Sequence, residues 1–199
     1  MVAYLAGSIP FAYLAGRAKG VDLRQHGSGN LGATNAVRVL GPRIGGLVYF
    51  GDTLKGMLPT LLLPGVVNTT RPELWAIAFG IAAIAGHVRP IFLMGQGGGK
   101  GVATAGGVFF GLAVVPAFVA FIAFVAAVGI TRMVSVGSIV AAIVLPLGIL
   151  FQGGPGDPRF IISALVGAFV IWMHRSNMSR MRQGTEPKIG SPKPGTASP

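Results

Sequence analysis

The chain has no cysteine and few acidic residues: five Asp and Glu stand against sixteen Lys and Arg in 199 residues. The missing thiols exclude disulfides, thiolate nucleophiles and cysteine-ligated metals. Charged residues make up only 11% of the chain and hydrophobic residues 52%, whereas a soluble domain carries about 25% charged residues. Mean hydropathy is +0.69. The composition is that of an integral membrane protein with most of its length in the bilayer. The three histidines and five carboxylates never cluster at ligand spacing, so neither a metal nor a cofactor is expected. The net charge of +11 would suggest nucleic acid in a soluble protein. Here the cations flank apolar runs, as the positive-inside rule requires, and no basic-aromatic surface accompanies them. No nucleic-acid partner is expected; membrane lipid is.

Apolar runs fall at about 2–16, 44–66, 74–94, 102–130, 134–151 and 160–173. One crossing needs about 20 helical residues, so 102–130 is long for one span and short for two. Pro116 sits in its middle, where a helix interior would lose a hydrogen bond. Charge placement decides. If that run is a helical hairpin or two short crossings, the loop 17–43, Lys100, Arg132 and the tail cations share one side, leaving Arg71 and Arg159 opposite. The predicted fold is therefore all-α: a seven-segment transmembrane bundle with glycine-rich loops on the cytoplasmic side. The N-terminus lies outside and the C-terminus in the cytoplasm. Residues 1–186 form one membrane domain, and 187–199, polar and rich in Pro and Ser, read as a disordered tail. The first run lacks a basic leader and reads as a span, not a cleaved signal.

Four polar stretches would then meet on one side: 17–43, 95–101, 131–133 and 174–190. The first holds Gly27-Ser28-Gly29-Asn30-Leu31-Gly32-Ala33-Thr34-Asn35-Ala36-Val37-Arg38. Glycine admits close backbone approach; Ser, Thr and Asn are neutral donors, and Arg38 is a planar fork suited to phosphate. A plain turn with a helix cap is the alternative. The second reads Gly95-Gln96-Gly97-Gly98-Gly99-Lys100-Gly101-Val102-Ala103-Thr104. Gly101 stands where a Walker A loop needs Ser or Thr, and no strand precedes it, so a nucleotide hydrolase is rejected. Free N–H groups leading into a helix N-terminus still suit an anion, and Lys100 adds a charge; a flexible linker is the alternative. Asp52 and Lys55 share a helix face and can pair. His87 lies near a helix end before Pro90. His174, Asn177 and Arg180 recur at threes and point together on a helix, although a cationic stop signal would also place Arg175 and Arg182 there.

In this order, these residues resemble the bacterial acyl-phosphate:glycerol-3-phosphate acyltransferases, the PlsY family. The matching pieces are Gly7-Ser8-Ile9-Pro10-Phe11; Gly20-Val21-Asp22-Leu23-Arg24 with the Gly27–Arg38 loop; Asp52 with Leu54-Lys55-Gly56; Gly86-His87 with Pro90; Gly98–Thr104; Ser135; and His174-Arg175 with Asn177 and Arg180. Two positions depart. Gly97 stands where the family usually has the first lysine of its loop, with Gln96 beside it, and Ser176 stands where a glutamate is usual.

The resemblance implies acyl transfer from acyl phosphate to the 1-hydroxyl of glycerol 3-phosphate, at the inner membrane of a bacterium with the active site facing the cytoplasm. The products are lysophosphatidic acid and phosphate. Lys100, Asn177, His87 and Ser28 are the expected catalytic residues. Asn30, Thr34, Asn35, Arg38, Gly97, Gly98, Gly99, Gly101, Thr104, His174 and Arg180 are expected to bind substrate. Acyl phosphate is already activated, so no covalent enzyme intermediate is needed, in keeping with the absent cysteine and the lack of a Ser–His–Asp arrangement. A small anion permease and an inactive lipid-binding relative are the competing readings.

Overall fold

The computed structural model describes residues 1–190, and every described element is helical. The helices are α1 (Val2–Gly7), α2 (Phe11–Arg17), α3 (Ala33–Leu40), α4 (Pro42–Leu62), α5 (Pro72–Val88), α6 (Val102–Leu112), α7 (Val114–Thr131), α8 (Val134–Gly153), α9 (Pro158–Met173) and α10 (Arg175–Arg182). Short 3-10 turns extend α4 over Leu63–Val66 and follow α5 over Ile91–Leu93. Of the expected tail, residues 191–199 lie outside the described residues.

Three stretches are long and apolar enough to cross a membrane alone: Pro72–Leu93, Val114–Thr131 and Val134–Gly153. A fourth appears if α9 and α10, bent by 52° at His174, count together. The seven expected segments are thus not all full-length spans. The first, 2–16, is two short helices broken at Ser8-Ile9-Pro10, because proline cannot donate to the preceding turn and pushes its neighbour out of the helical region. α4 has 21 residues but carries buried Asp52 and Lys55 in its middle.

The run 102–131 folds back on itself. Ala113 leaves the helical region at φ −152°, ψ 72°, which places Pro116 in the first turn of α7, where its missing N–H removes no helical bond. The carbonyl of Leu112, freed at the break, accepts from Arg159 Nη1 at 3.3 Å. Lys100, just before α6, contacts Asn177. Arg132, just after α7, donates to the Ile189 carbonyl at 2.8 Å and 3.2 Å. Both ends of the run therefore lie at the end of the bundle that carries α10.

In lipid, apolar burial drives helix association weakly, and small residues that admit close backbone approach take over. The pairings follow that rule. Gly7 packs on Ala83 and Gly86 on Tyr4, joining α1 to α5. Gly56 packs on Thr104 and Gly107 on Thr53, joining α4 to α6; Gly137 lies against Phe124 and Val128, and Gly167 against Ala142. The larger side chains point outward: Phe118, Val119, Ile122, Val125, Leu147 and Leu165 are exposed, as lipid-facing residues should be. Opposite the loop-bearing end, Arg159 pairs with Asp157 at 2.8 Å and feels the Glu73 carboxylate.

Candidate active site

The loop before α3 is organised by one side chain. Asn35, fully buried in the first turn of α3, donates to the carbonyls of Leu23 at 3.1 Å and His26 at 3.0 Å, and its oxygen accepts from the Ser28 amide at 2.9 Å. Through these three contacts Asn35 shapes the loop. Gly27 must lack a side chain here: its φ is +64°, and a Cβ would overlap Asn35 Oδ1. Ser28 and Thr34 stay exposed on this framework, and Asn30 and Arg38 are half-buried.

The loop 95–101 lies across the end of α5. A Cβ on Gly98 would overlap the Val88 carbonyl, and one on Gly99 would overlap His87 Nε2 and crowd the Leu31 carbonyl. The loop is thus pressed against both His87 and the residue before Gly32. Gly97 has φ +70°, and the Arg24 stem passes within 3.4 Å of where its Cβ would stand. Arg24 pairs with Asp22 at 2.7 Å and lies over the Tyr13 ring. The aliphatic stem of Arg24 therefore runs beside Gly97. Gly101, with φ +81°, caps the start of α6. Thr104, fully buried in the α4–α6 contact, has no hydrogen-bond partner for its hydroxyl among the described residues.

Lys100 leaves this loop and donates to Asn177 Oδ1. The other half of the Asn177 amide donates to Glu186 at 2.6 Å, and Arg180 Nε donates to the same carboxylate at 2.8 Å. Burial, reinforced by the charges of Arg180 and Arg38 and opposed by Glu186, brings the Lys100 ammonium down to about 8. Burial would raise the Glu186 carboxyl, but hydrogen bonds led by Asn177 hold it below its usual range. Ser135, buried at the start of α8, lies beside that carboxylate, although its hydroxyl makes no hydrogen bond of ordinary geometry. His174 Nδ1 faces the Val170 carbonyl at 2.8 Å. A carbonyl only accepts, so Nδ1 carries the proton and Nε2 is bare. Burial, with Lys100 adding to it against the Val170 bond, pulls this imidazole to about 4, so it is neutral at physiological pH.

Sequence reasoning missed two features. Glu186 is the buried carboxylate that organises α10; its signal was a lone acid among Arg180, Arg182 and Lys188. Ser176 is exposed, so a glutamate there would stand outside the buried cluster that Glu186 serves. The second is the contact of His87 with Asp52, whose pairing with Lys55 was expected. The cleft under the glycine loop is lined by Ser8, Pro10, Leu31, Asp52, Lys55, His87 and Gly97–Gly99. It shares Ile9 and Lys55 with an apolar groove of about 600 Å³ between α1, α2 and α4. Val2, Phe11, Leu47, Phe50, Leu58 and Leu62 line that groove.

The fold and site define a helical membrane protein with a small glycine-lined cleft adjoining an apolar groove, and with Lys100 and Arg180 gathered next to the glycine loop. The comparisons with known proteins agree with that class. The model of the glycerol-3-phosphate acyltransferase family matches residues 1–184. The glycerol-3-phosphate acyltransferase of Trichlorobacter lovleyi is 46% identical over 188 residues, covering 94% of each chain. That of Geobacter sulfurreducens is 44% identical over 186 residues, covering 93% of each. The crystal structure of PlsY (YgiH), an integral membrane glycerol 3-phosphate acyltransferase, in its glycerol 3-phosphate form superposes with a TM-score of 0.87 at 38% identity, over 95% of this chain and 92% of that one. Its lysophosphatidic acid form gives 0.83 at 37%, over 94% and 92%. This chain belongs to the glycerol-3-phosphate acyltransferase (PlsY) family.

Proposed function

We propose that this protein acylates the 1-hydroxyl of glycerol 3-phosphate with acyl phosphate as donor, at the cytoplasmic face of a bacterial inner membrane. The observation that carries the reading is the meeting of Lys100, Asn177, Arg180 and Glu186 beside the glycine loop. It gathers cations where two phosphorylated substrates must sit together. Seven segments (α1 with α2, then α4 to α9) would leave the N-terminus outside and both glycine-rich loops inside. This assignment puts nearly all unpaired cations on the cytoplasmic side.

The 1-hydroxyl oxygen attacks the acyl carbonyl carbon. The bond from that carbon to the phosphate oxygen then breaks, and phosphate leaves with the electron pair and takes up the hydroxyl proton. Lys100 and the N–H groups of Gly97–Gly101 hold the acyl phosphate and offset the charge that develops. Ser28, Thr34 and Arg38 hold glycerol 3-phosphate, with Arg180 adding charge. Asn177, fixed between Lys100 and Glu186, and His87 orient the reacting groups. His174, neutral with a bare Nε2, accepts from a substrate hydroxyl. At about 4 it is too weak a base to replace the departing phosphate as proton acceptor. The acyl chain lies in the groove between α1 and α4, whose junction with the cleft is Ile9 and Lys55.

The donor is tested by offering purified protein glycerol 3-phosphate with either acyl phosphate or an acyl thioester. Product from acyl phosphate alone supports the reading; product from the thioester with acyl phosphate inert overturns it.

A further inference from the structure

Asp52 sits where three elements meet. Its carboxylate is 2.7 Å from Lys55 Nζ, one turn along α4, and 3.5 Å from His87 Nδ1 at the end of α5; all three side chains are 5% exposed or less. Lys55 also donates to the Ile9 carbonyl at 2.7 Å, a group freed by the break before Pro10, and lies 5.6 Å from the centre of the Phe11 ring. Buried charges in a membrane are costly and persist where they serve a site. Lys55 already balances Asp52, so the carboxylate does not require a second cation. Its contact with His87 is therefore left to set the ring's direction. The opposite ring nitrogen, Nε2, lies directly against Gly99.

We propose that Asp52 is a positioning residue: it holds His87 with Nδ1–H toward α4 and Nε2 toward the Gly97–Gly99 loop, while Lys55 supplies its counter-charge. The same link fixes the loop's height over the end of α5, since Gly99 rests on the ring that Asp52 holds. The 3.5 Å separation is at the outer limit of a hydrogen bond, and such contacts tighten when substrate closes a site. The catalytic part of this role rests on the acyl-transfer reading; the ring geometry does not.

Two measurements test it. Nitrogen-15 spectra of histidine-labelled protein in detergent, without substrate, read the tautomer of His87, whose signal is assigned by its loss in His87→Gln. The expected signature is a protonated Nδ1 in the native chain and a mixture in the charge-neutral double variant Asp52→Asn/Lys55→Met. An unchanged signature overturns the proposal, and this arm is readable even if the native protein transfers no acyl group, an outcome that would sink the function reading by itself. The second measurement is a kinetic cycle. The double variant and His87→Gln should each lower kcat about tenfold, and the triple variant should be no worse than His87→Gln, because residues acting through one another are not additive. Effects that multiply overturn the proposal. If the double variant fails to fold, Asp52→Glu keeps the ion pair while moving the carboxylate and takes its place in both measurements.

Discussion

Lys100 and Asn177, 77 positions apart, are joined by a hydrogen bond from the ammonium to the amide oxygen. Glu186 takes the amide's other end, so Asn177 is held between a cation and an anion. Its oxygen and nitrogen have one sensible assignment, because only Nδ2 can donate to a carboxylate. The contact ties the start of α6 to α10 and closes the loop-bearing end of the bundle.

Removing that cation should remove the chemistry. Lys100→Met is expected to lower kcat/KM by about a hundredfold or more, the scale of losing one preorganised donor to developing charge. Helical content should not change, since no helix depends on the ammonium. Phosphate release and circular dichroism check the two halves.

The pH dependence has a definite sign. Lys100 is charged below about 8, so kcat/KM, which reports the free enzyme, should fall as pH rises through 8. Stability moves the other way through this group. Its folded value lies below the ordinary lysine value of 10.5, so the unfolded chain holds more protons between the two, and folding gains as pH rises across that window. His174, at about 4, should add no limb between pH 5 and 8. A pH series of initial rates and melting temperatures checks all three statements.

Gly99→Ala should disable the loop. A Cβ there would overlap His87 Nε2 and crowd the Leu31 carbonyl, and overpacking of this kind costs about 1–3 kcal/mol. The expected result is a raised KM for a phosphorylated substrate and a lower melting temperature. Gly46→Ala, where the added methyl meets nothing within 4 Å, should leave both unchanged.

Glu186→Gln should loosen α10. The carboxylate accepts from Asn177 and Arg180, and weakening such partly buried bonds costs about 1–3 kcal/mol. The carboxyl is held below the ordinary glutamate value of 4.5, so its contribution is present above that value and lost as pH falls through the lowered one. The melting difference between native and variant should therefore shrink as the solution is acidified below pH 4.5. A difference that persists unchanged in acid would contradict this origin.

Much of the arrangement was legible because charge and glycine are scarce at lipid depth. The positive-inside rule folds 102–130 back on itself, and the chain does turn at Ala113. The fold-back is legible because the cations that flank the run lie outside its apolar stretch. The two-helix break of the first run was not legible, since Pro10 near a run's middle and Pro59 inside α4 look alike in a sequence; only packing decides which one interrupts a helix. Asn35 reads as one polar residue among several, and its role in tying together Leu23, His26 and Ser28 of the loop has no signal in the spacing. Glu186 and the Asp52–His87 contact were hidden for another reason. Their partners lie six or more positions away, on other elements or across a turn, where no helical spacing announces them.

The most direct test of the account is to give the purified protein acyl phosphate with and without glycerol 3-phosphate and to count both products. Phosphate and lysophosphatidic acid appearing in equal amounts, only when both substrates are present, is the predicted result. Phosphate released without the acyl acceptor, or substrate carried across a vesicle membrane with no acyl transfer, would contradict it.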